Sequence, residues 1–300
     1  MRKNIGNILM VFKEAGKNLA ANEPLRMAGA TGFFTTFALP PVLMIIVRTF
    51  GLFFDRKTIG KQILDKVGAV LGNDGRELIL SIIRGVRNYQ HNLLITCFVF
   101  IFLLFVATTL FKVVKGSINQ LWNIRIANKR NLRSILIARS KAVGIIMFTG
   151  VLFLAVMGVD LIQAYLGQYL HQLSPVFAAY VFSALNHIVS FVVVTVWFFA
   201  LFRYLPDGRP KVSVALTGAA VTGLLFTVGK FVLRWLLSGV QVLYGTSGAM
   251  VLIMLFVFYS SLMLYFGAAF TRAWGKHSGN PIQPLPHAAE FHWQQVEVKK

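Results

Sequence analysis

Six mostly apolar runs recur along the chain, at 27–47, 93–114, 142–161, 176–202, 212–237 and 249–271, divided by short polar breaks. A hydrocarbon core about 30 Å thick takes about 20 helical residues to cross. Lipid offers the backbone no hydrogen-bond partner, so runs of this kind are helices. The pattern predicts an all-α, polytopic membrane protein with six transmembrane helices. Ahead of the first run, Ile5, Ile8, Leu9, Val11, Phe12 and Leu19 repeat at helical spacing among Arg2, Lys3, Lys13 and Lys17. Segment 1–26 is therefore expected to be an amphipathic helix along the cytoplasmic face. Between the first two runs, Ile59, Ile63, Val67, Val70 and Leu71 precede Gly72-Asn73-Asp74-Gly75 and a second helical stretch at 77–89. This predicts an external helical hairpin within 48–92. The membrane domain fills 27–274. Segment 275–300, with Pro281, Pro284 and Pro286, reads as a flexible cytoplasmic tail, disordered or loosely docked.

Charge then orients the spans. From Lys112 to Lys141 the chain carries Lys115, Arg125, Lys129, Arg130, Arg133 and Arg139 and no acid. Segments 162–174 and 238–248 hold no Lys, Arg, Asp or Glu, whereas Arg203, Arg209 and Lys211 follow the fourth run and Arg272 and Lys276 the sixth. Basic loops stay on the cytoplasmic side, which places both termini and the two basic loops there. Segment 48–92 is itself net basic, against the rule. Its length weakens the rule, and a re-entrant first run broken at Pro40-Pro41 is the rival arrangement.

Composition narrows the class further. Apolar residues make up 56% of the chain and charged residues 13%, against about a quarter charged in soluble domains. A net charge of +20 raises nucleic acid as a partner, but basic loops facing anionic lipid explain it better. Cys97 is the lone cysteine, so no intramolecular disulfide or thiolate metal site forms. The N-terminal segment lacks the uninterrupted apolar stretch of a secretory signal peptide.

Several short stretches together resemble one family. Phe33-Phe34-Thr35-Thr36-Phe37-Ala38-Leu39-Pro40-Pro41 opens the match, followed by Leu121-Trp122-Asn123-Ile124 and Tyr204-Leu205-Pro206. Residues Gly218 to Lys230 and Tyr244-Gly245-Thr246-Ser247-Gly248-Ala249 complete it. In order and spacing these are similar to the YihY/BrkB family of bacterial inner-membrane proteins, once labelled ribonuclease BN. The resemblance spans roughly residues 20 to 275. It implies six spans with both termini inside, and transport of an unidentified substrate as the suggested activity. One position departs: the family's Gly-Ala-Glu is Gly267-Ala268-Ala269 in this chain, so no role of that glutamate carries over.

Ionisable and strongly polar groups within the runs are the candidate site, since each costs about 2.5–3.5 kcal/mol to insert. Lys230 and Arg234 stand four apart on one face of the fifth run, Lys230 about 27 Å along it. Asp160 ends the third run, and Asn186 and His187 lie about 15–17 Å below the outer end of the fourth. Read functionally, these five residues line an outward polar cavity attracting an anionic solute or lipid headgroup, with His187 as a proton-coupling group. Read structurally, Lys230 and Arg234 snorkel to the interface, Asp160 meets solvent, and His187 bonds a neighbouring helix. Pro40 and Pro41 are the candidate helix break. Ala219 with Gly223, and Ala28 with Gly32, have the small-xxx-small spacing of close helix packing. An oligomer is possible but not inferable from these residues.

Catalytic signals are weak. HExxH, GxSxG, P-loop and GxGxxG patterns are missing, and no clustered acids are present to hold metal ions. His287 and His292 with Glu290 would bind metal only adventitiously from a solvated tail. The expectation is a non-enzymatic permease or flippase-like protein with no cofactor or metal. Its partners would be membrane lipids and an unidentified solute or lipid, and not nucleic acid. A non-transporting scaffold for envelope proteins is the alternative, and a membrane nuclease is disfavoured.

Overall fold

The computed structural model describes residues 2–50, 93–127, 147–156, 175–244 and 248–291, with scattered positions within 60–84 and 140–163. Six long helices carry the described architecture. They are α1 (Arg2–Ala21), α2 (Pro24–Phe50), α3 (Leu93–Leu121), α4 (Pro175–Tyr204), α5 (Val212–Tyr244) and α6 (Gly248–His277). Among the described residues, three stretches are long and apolar enough to cross a membrane: Tyr180–Tyr204, Val212–Val232 and Val251–His277. Segment Met147–Val156 is a shorter apolar helix. Helix α4, with 30 residues, is about 45 Å long and overruns a hydrocarbon core.

The fold is mostly helical with one addition to the all-α expectation. Strand β1 (Ile124–Ile126) pairs antiparallel with β4 (Ala288–Glu290), and β2 (Gly208–Arg209) with β3 (Gln283–Pro284). Both pairs use the C-terminal segment. As far as Phe291, the tail is therefore docked on the loops after α3 and α4, and the rest of it lies outside the described residues. Its prolines fit: Pro284 lies in a two-residue edge pairing, where a missing N–H is tolerated. Pro40 and Pro41 lie inside α2, which runs on to Phe50, so the expected break does not end the helix.

Helix α1 docks through a narrow stripe. Val11 and Ala15 are buried, and the Phe12 ring lies 4.9 Å from Phe270 and 6.0 Å from Phe266 on α6. Ile8, Leu9 and Met10 remain exposed on α1. The ends of α1, α3, α4 and α6, the starts of α2 and α5, and the tail thus gather at one end of the molecule, hereafter the basal end. The first and last described elements meet at that end.

Trp122, Tyr265, Phe198, Phe202, Ile118 and Leu121 form the buried centre near the basal end. In the apolar helices, Ile101, Phe102, Phe105, Leu224, Val228 and Phe231 point outward. Lipid is as apolar as these side chains, so burial alone does not drive the helices together, and close approach must. Helices α5 and α6 achieve it reciprocally. A Cβ at Gly218 would overlap Thr271, and one at Gly267 would overlap Thr222. Each threonine returns its hydroxyl to the carbonyl four residues back, Thr222 to Gly218 and Thr271 to Gly267. Gly223 similarly admits Thr195 of α4, and Gly32 admits the α6 backbone at Met254 and Phe258. The small-residue spacing is internal packing.

Within 60–84 the described positions are helical, and Arg76 lies 3.5 Å from Asp65, joining the two arms of the expected hairpin. Its Gly72–Gly75 turn lies outside the described residues.

Candidate functional site

Ser183, Asn186, His187 and Ser190 fall at helical spacing on α4 and make one polar stripe within an apolar span. Lys230 of α5 reaches across to it: its ammonium donates to Ser190 Oγ at 3.5 Å and sits 5.8 Å above the Phe226 ring. Both contacts compensate a cation held in an apolar span, the ring through its negative face. The His187 Nδ1–H donates to the Ser183 carbonyl at 2.7 Å, which leaves Nε2 of a neutral ring as the acceptor. Gln163 donates to Asn186 Oδ1 at 3.1 Å, bringing a third helical segment to the stripe.

Three of the five residues singled out by sequence are thus placed. Lys230 bonds the stripe that carries Asn186 and His187, and the latter two are exposed along α4. Asp160 lies outside the described residues, as does the side chain of Arg234, whose backbone is one turn beyond Lys230 on α5. Ser190 and Gln163 were not singled out. The four-residue interval from Asn186 to Ser190 was the available signal for Ser190.

A second polar cluster at the basal end was not foreseen. Asp207 follows Tyr204-Leu205-Pro206 and is fully buried. Its Oδ1 lies 2.6 Å from Lys115 Nζ and 2.9 Å from His287 Nε2, and its Oδ2 accepts from Asn119 Nδ2 at 2.8 Å. The backbone joins in: Asp207 N–H donates to Asn119 Oδ1, and Asp207 C=O accepts from Leu285 N–H, both at 2.8 Å. Burial alone would raise the carboxyl pKa. The hydrogen bonds from Lys115 and His287, the Lys115 charge and the Asn119 bond outweigh that and hold it below 3.8. One carboxylate therefore ties α3, the loop after α4, and the tail.

Around it the motif residues serve as struts. Trp122 is buried and its indole N–H donates to the Ala268 carbonyl at 2.8 Å. The departing position in Gly267-Ala268-Ala269 is also buried, at Ala269. Gly208 packs so tightly that a Cβ would lie 2.8 Å from the Trp122 ring and 2.9 Å from Ile282. The Leu121 carbonyl accepts from both Asn18 (3.1 Å) and Arg272 (3.0 Å), locking α1 and α6 to the end of α3. His287 and Glu290 belong to this framework, and among the described residues no cluster of three His, Cys, Asp or Glu could hold a metal ion.

The family model for virulence factor BrkB matches residues 15–292, which takes in both clusters and nearly the whole chain. The chain belongs to the virulence factor BrkB family. No curated protein and no solved structure matches it. BrkB membership together with the apolar helices makes this a membrane protein. The match ends at residue 292, just beyond the β4 strand and Phe291. In this BrkB protein the docked tail is thus part of the family's shared segment.

Proposed function

We propose that this BrkB protein is a non-enzymatic, six-span permease or flippase-like protein of the bacterial inner membrane that moves an anionic solute or lipid. Both termini and the basal end face the cytoplasm in this reading, because the basic segments converge there. The observation that carries it is Lys230. It is a cation within the span Val212–Val232, bonded to a polar stripe on the neighbouring span rather than placed at a helix end. Intramembrane charges of this kind mark substrate or ion pathways. Asn186 and His187 continue the path along α4, with His187 as the proton-coupling group of this reading. Arg234 adds a second positive charge one turn further along α5. The second reading, a scaffold for envelope proteins, draws on the 48–92 hairpin.

Purified protein in liposomes tests this with fluorescent anionic lipids and a panel of organic anions. Wild-type protein is expected to accelerate movement of at least one probe. Lys230→Ala should slow it at least 10-fold while Lys230→Arg retains part of the rate, a loss matching about 1.4 kcal/mol. Equal flux from wild type and Lys230→Ala would defeat the assignment. Absence of flux with every probe, alongside stoichiometric protein partners, would favour the scaffold.

A further inference from the structure

At the basal end a hollow of about 350 Å³ lies between α1, the turn after α3 and the last turns of α6. Its lining is Glu14, Lys17, Asn18, Asn123, Arg272, Ala273 and Lys276. We infer that this hollow is a binding site for a phosphate ester, the headgroup of an anionic phospholipid. It is separate from the Lys230 stripe.

Three features carry the assignment. The lining has three cations against one carboxylate. Glu290, 3.8 Å from Arg272, offsets one more charge from behind and leaves the site positive. Arg272 forms the floor: its side chain is 11% exposed and oriented by its bond to the Leu121 carbonyl and by Glu290. A guanidinium has five N–H donors in a planar fork, so these contacts leave donors for an oxyanion. Lys17 and Lys276 stand exposed at the rim, and among the described residues neither has an ion-pair partner. Asn18 and Asn123 add amides for the ester or glycerol oxygens.

Location selects the lipid. The hollow lies beside the end of the apolar stretch Val251–His277, at headgroup level if that stretch spans. The same helix that supplies Glu14, Lys17 and Asn18 exposes Ile8, Leu9 and Met10, which suit acyl chains. A volume of 350 Å³ exceeds what one phosphate fills and leaves room for a glycerophosphate. Basic pockets between helices on the cytoplasmic side bind anionic headgroups through the same chemistry.

Full-length protein in detergent, titrated at low salt with short-chain phosphatidylglycerol, short-chain phosphatidylcholine and glycerol 3-phosphate, tests this by native mass spectrometry and thermal shift. Phosphatidylglycerol should bind tightest and raise the melting temperature. Lys17→Ala/Lys276→Ala should weaken it about 10- to 30-fold, two surface cations' worth. Lys17→Arg/Lys276→Arg should restore binding, and the double alanine change should weaken it by the same factor in a Lys230→Ala background, which separates this site from the Lys230 stripe. Glycerol 3-phosphate binding as tightly as the lipid would uphold the phosphate-ester site but assign it to a soluble source. Equal affinity for phosphatidylcholine, or full phosphatidylglycerol affinity in the folded double alanine variant, would overturn the proposal.

Discussion

Replacing Asp207 with alanine isolates the contribution of the basal clamp. The change removes the partner of Lys115, whose side chain is 13% exposed, and the side-chain bonds to Asn119 and to His287 of the tail, while the backbone bonds of residue 207 remain available. Breaking a buried pair by deleting one partner costs about 3–5 kcal/mol, because the remaining charge stays desolvated. The His287 contact adds little, since that side chain is 51% exposed and solvent screens it. Lys115 retains a partial route to water, so the lower end applies: a loss of about 3 kcal/mol. In thermal unfolding of detergent-purified protein, a drop of roughly 6 °C or more is expected. Limited proteolysis should cut the variant earlier within 278–291, where β3 and β4 come free. A Lys115→Ala/Asp207→Ala double variant should lose less than the sum of the singles, since the pair acts as a unit. An Asp207→Ala protein with unchanged melting temperature and an equally resistant tail would refute the clamp.

Other consequences follow from the same geometry. The folded Asp207 carboxyl titrates below its unfolded value, so its stabilisation is present above about pH 4 and is lost as pH falls through the folded pKa. Melting temperature measured from pH 7 down to pH 3 should fall at the acid end in wild type, and less steeply in Asp207→Asn. Gly218→Val would drive a side chain into Thr271 and should cost about 1–3 kcal/mol in thermal unfolding, whereas Gly29→Val, with open space around it, should be close to neutral beyond helix propensity. Trp122→Phe removes the indole N–H bond to Ala268, whose carbonyl keeps its bond within α6, and leaves part of the buried indole volume empty, for about 1–3 kcal/mol in the same assay.

Apolar run lengths made the helices legible, because a membrane span is a local property of about 20 residues. Runs at 212–237 and 249–271 became Val212–Tyr244 and Gly248–His277, the helices overrunning where polar residues leave the lipid. Small-residue spacing at Ala28/Gly32 and Ala219/Gly223 was legible for the same reason. Asp207 was not. It joins residues 88 positions away at Asn119 and 80 away at His287, and no local pattern carries that. The clue available was a lone acid in the basic loop between Arg203 and Arg209, in a chain with 10 acids against 30 bases. Pro281, Pro284 and Pro286 left the tail open between disorder and docking, because short edge pairings tolerate proline. Within the apolar runs, Lys230, Asn186 and His187 stand out by their insertion cost, whereas Ser190 does not, because a serine costs little to bury.

The account rests most heavily on Lys230 facing a hydrated path rather than lipid. In a Cys97→Ser background, Lys230→Cys can be probed in sealed vesicles with a membrane-impermeant, anionic thiol reagent. Labelling at a rate approaching that of a loop cysteine, and faster than at the outward-facing Phe231→Cys, is the predicted result. Lys230→Cys no more reactive than Phe231→Cys would mean that position 230 lies against lipid, and the anionic pathway would have no floor.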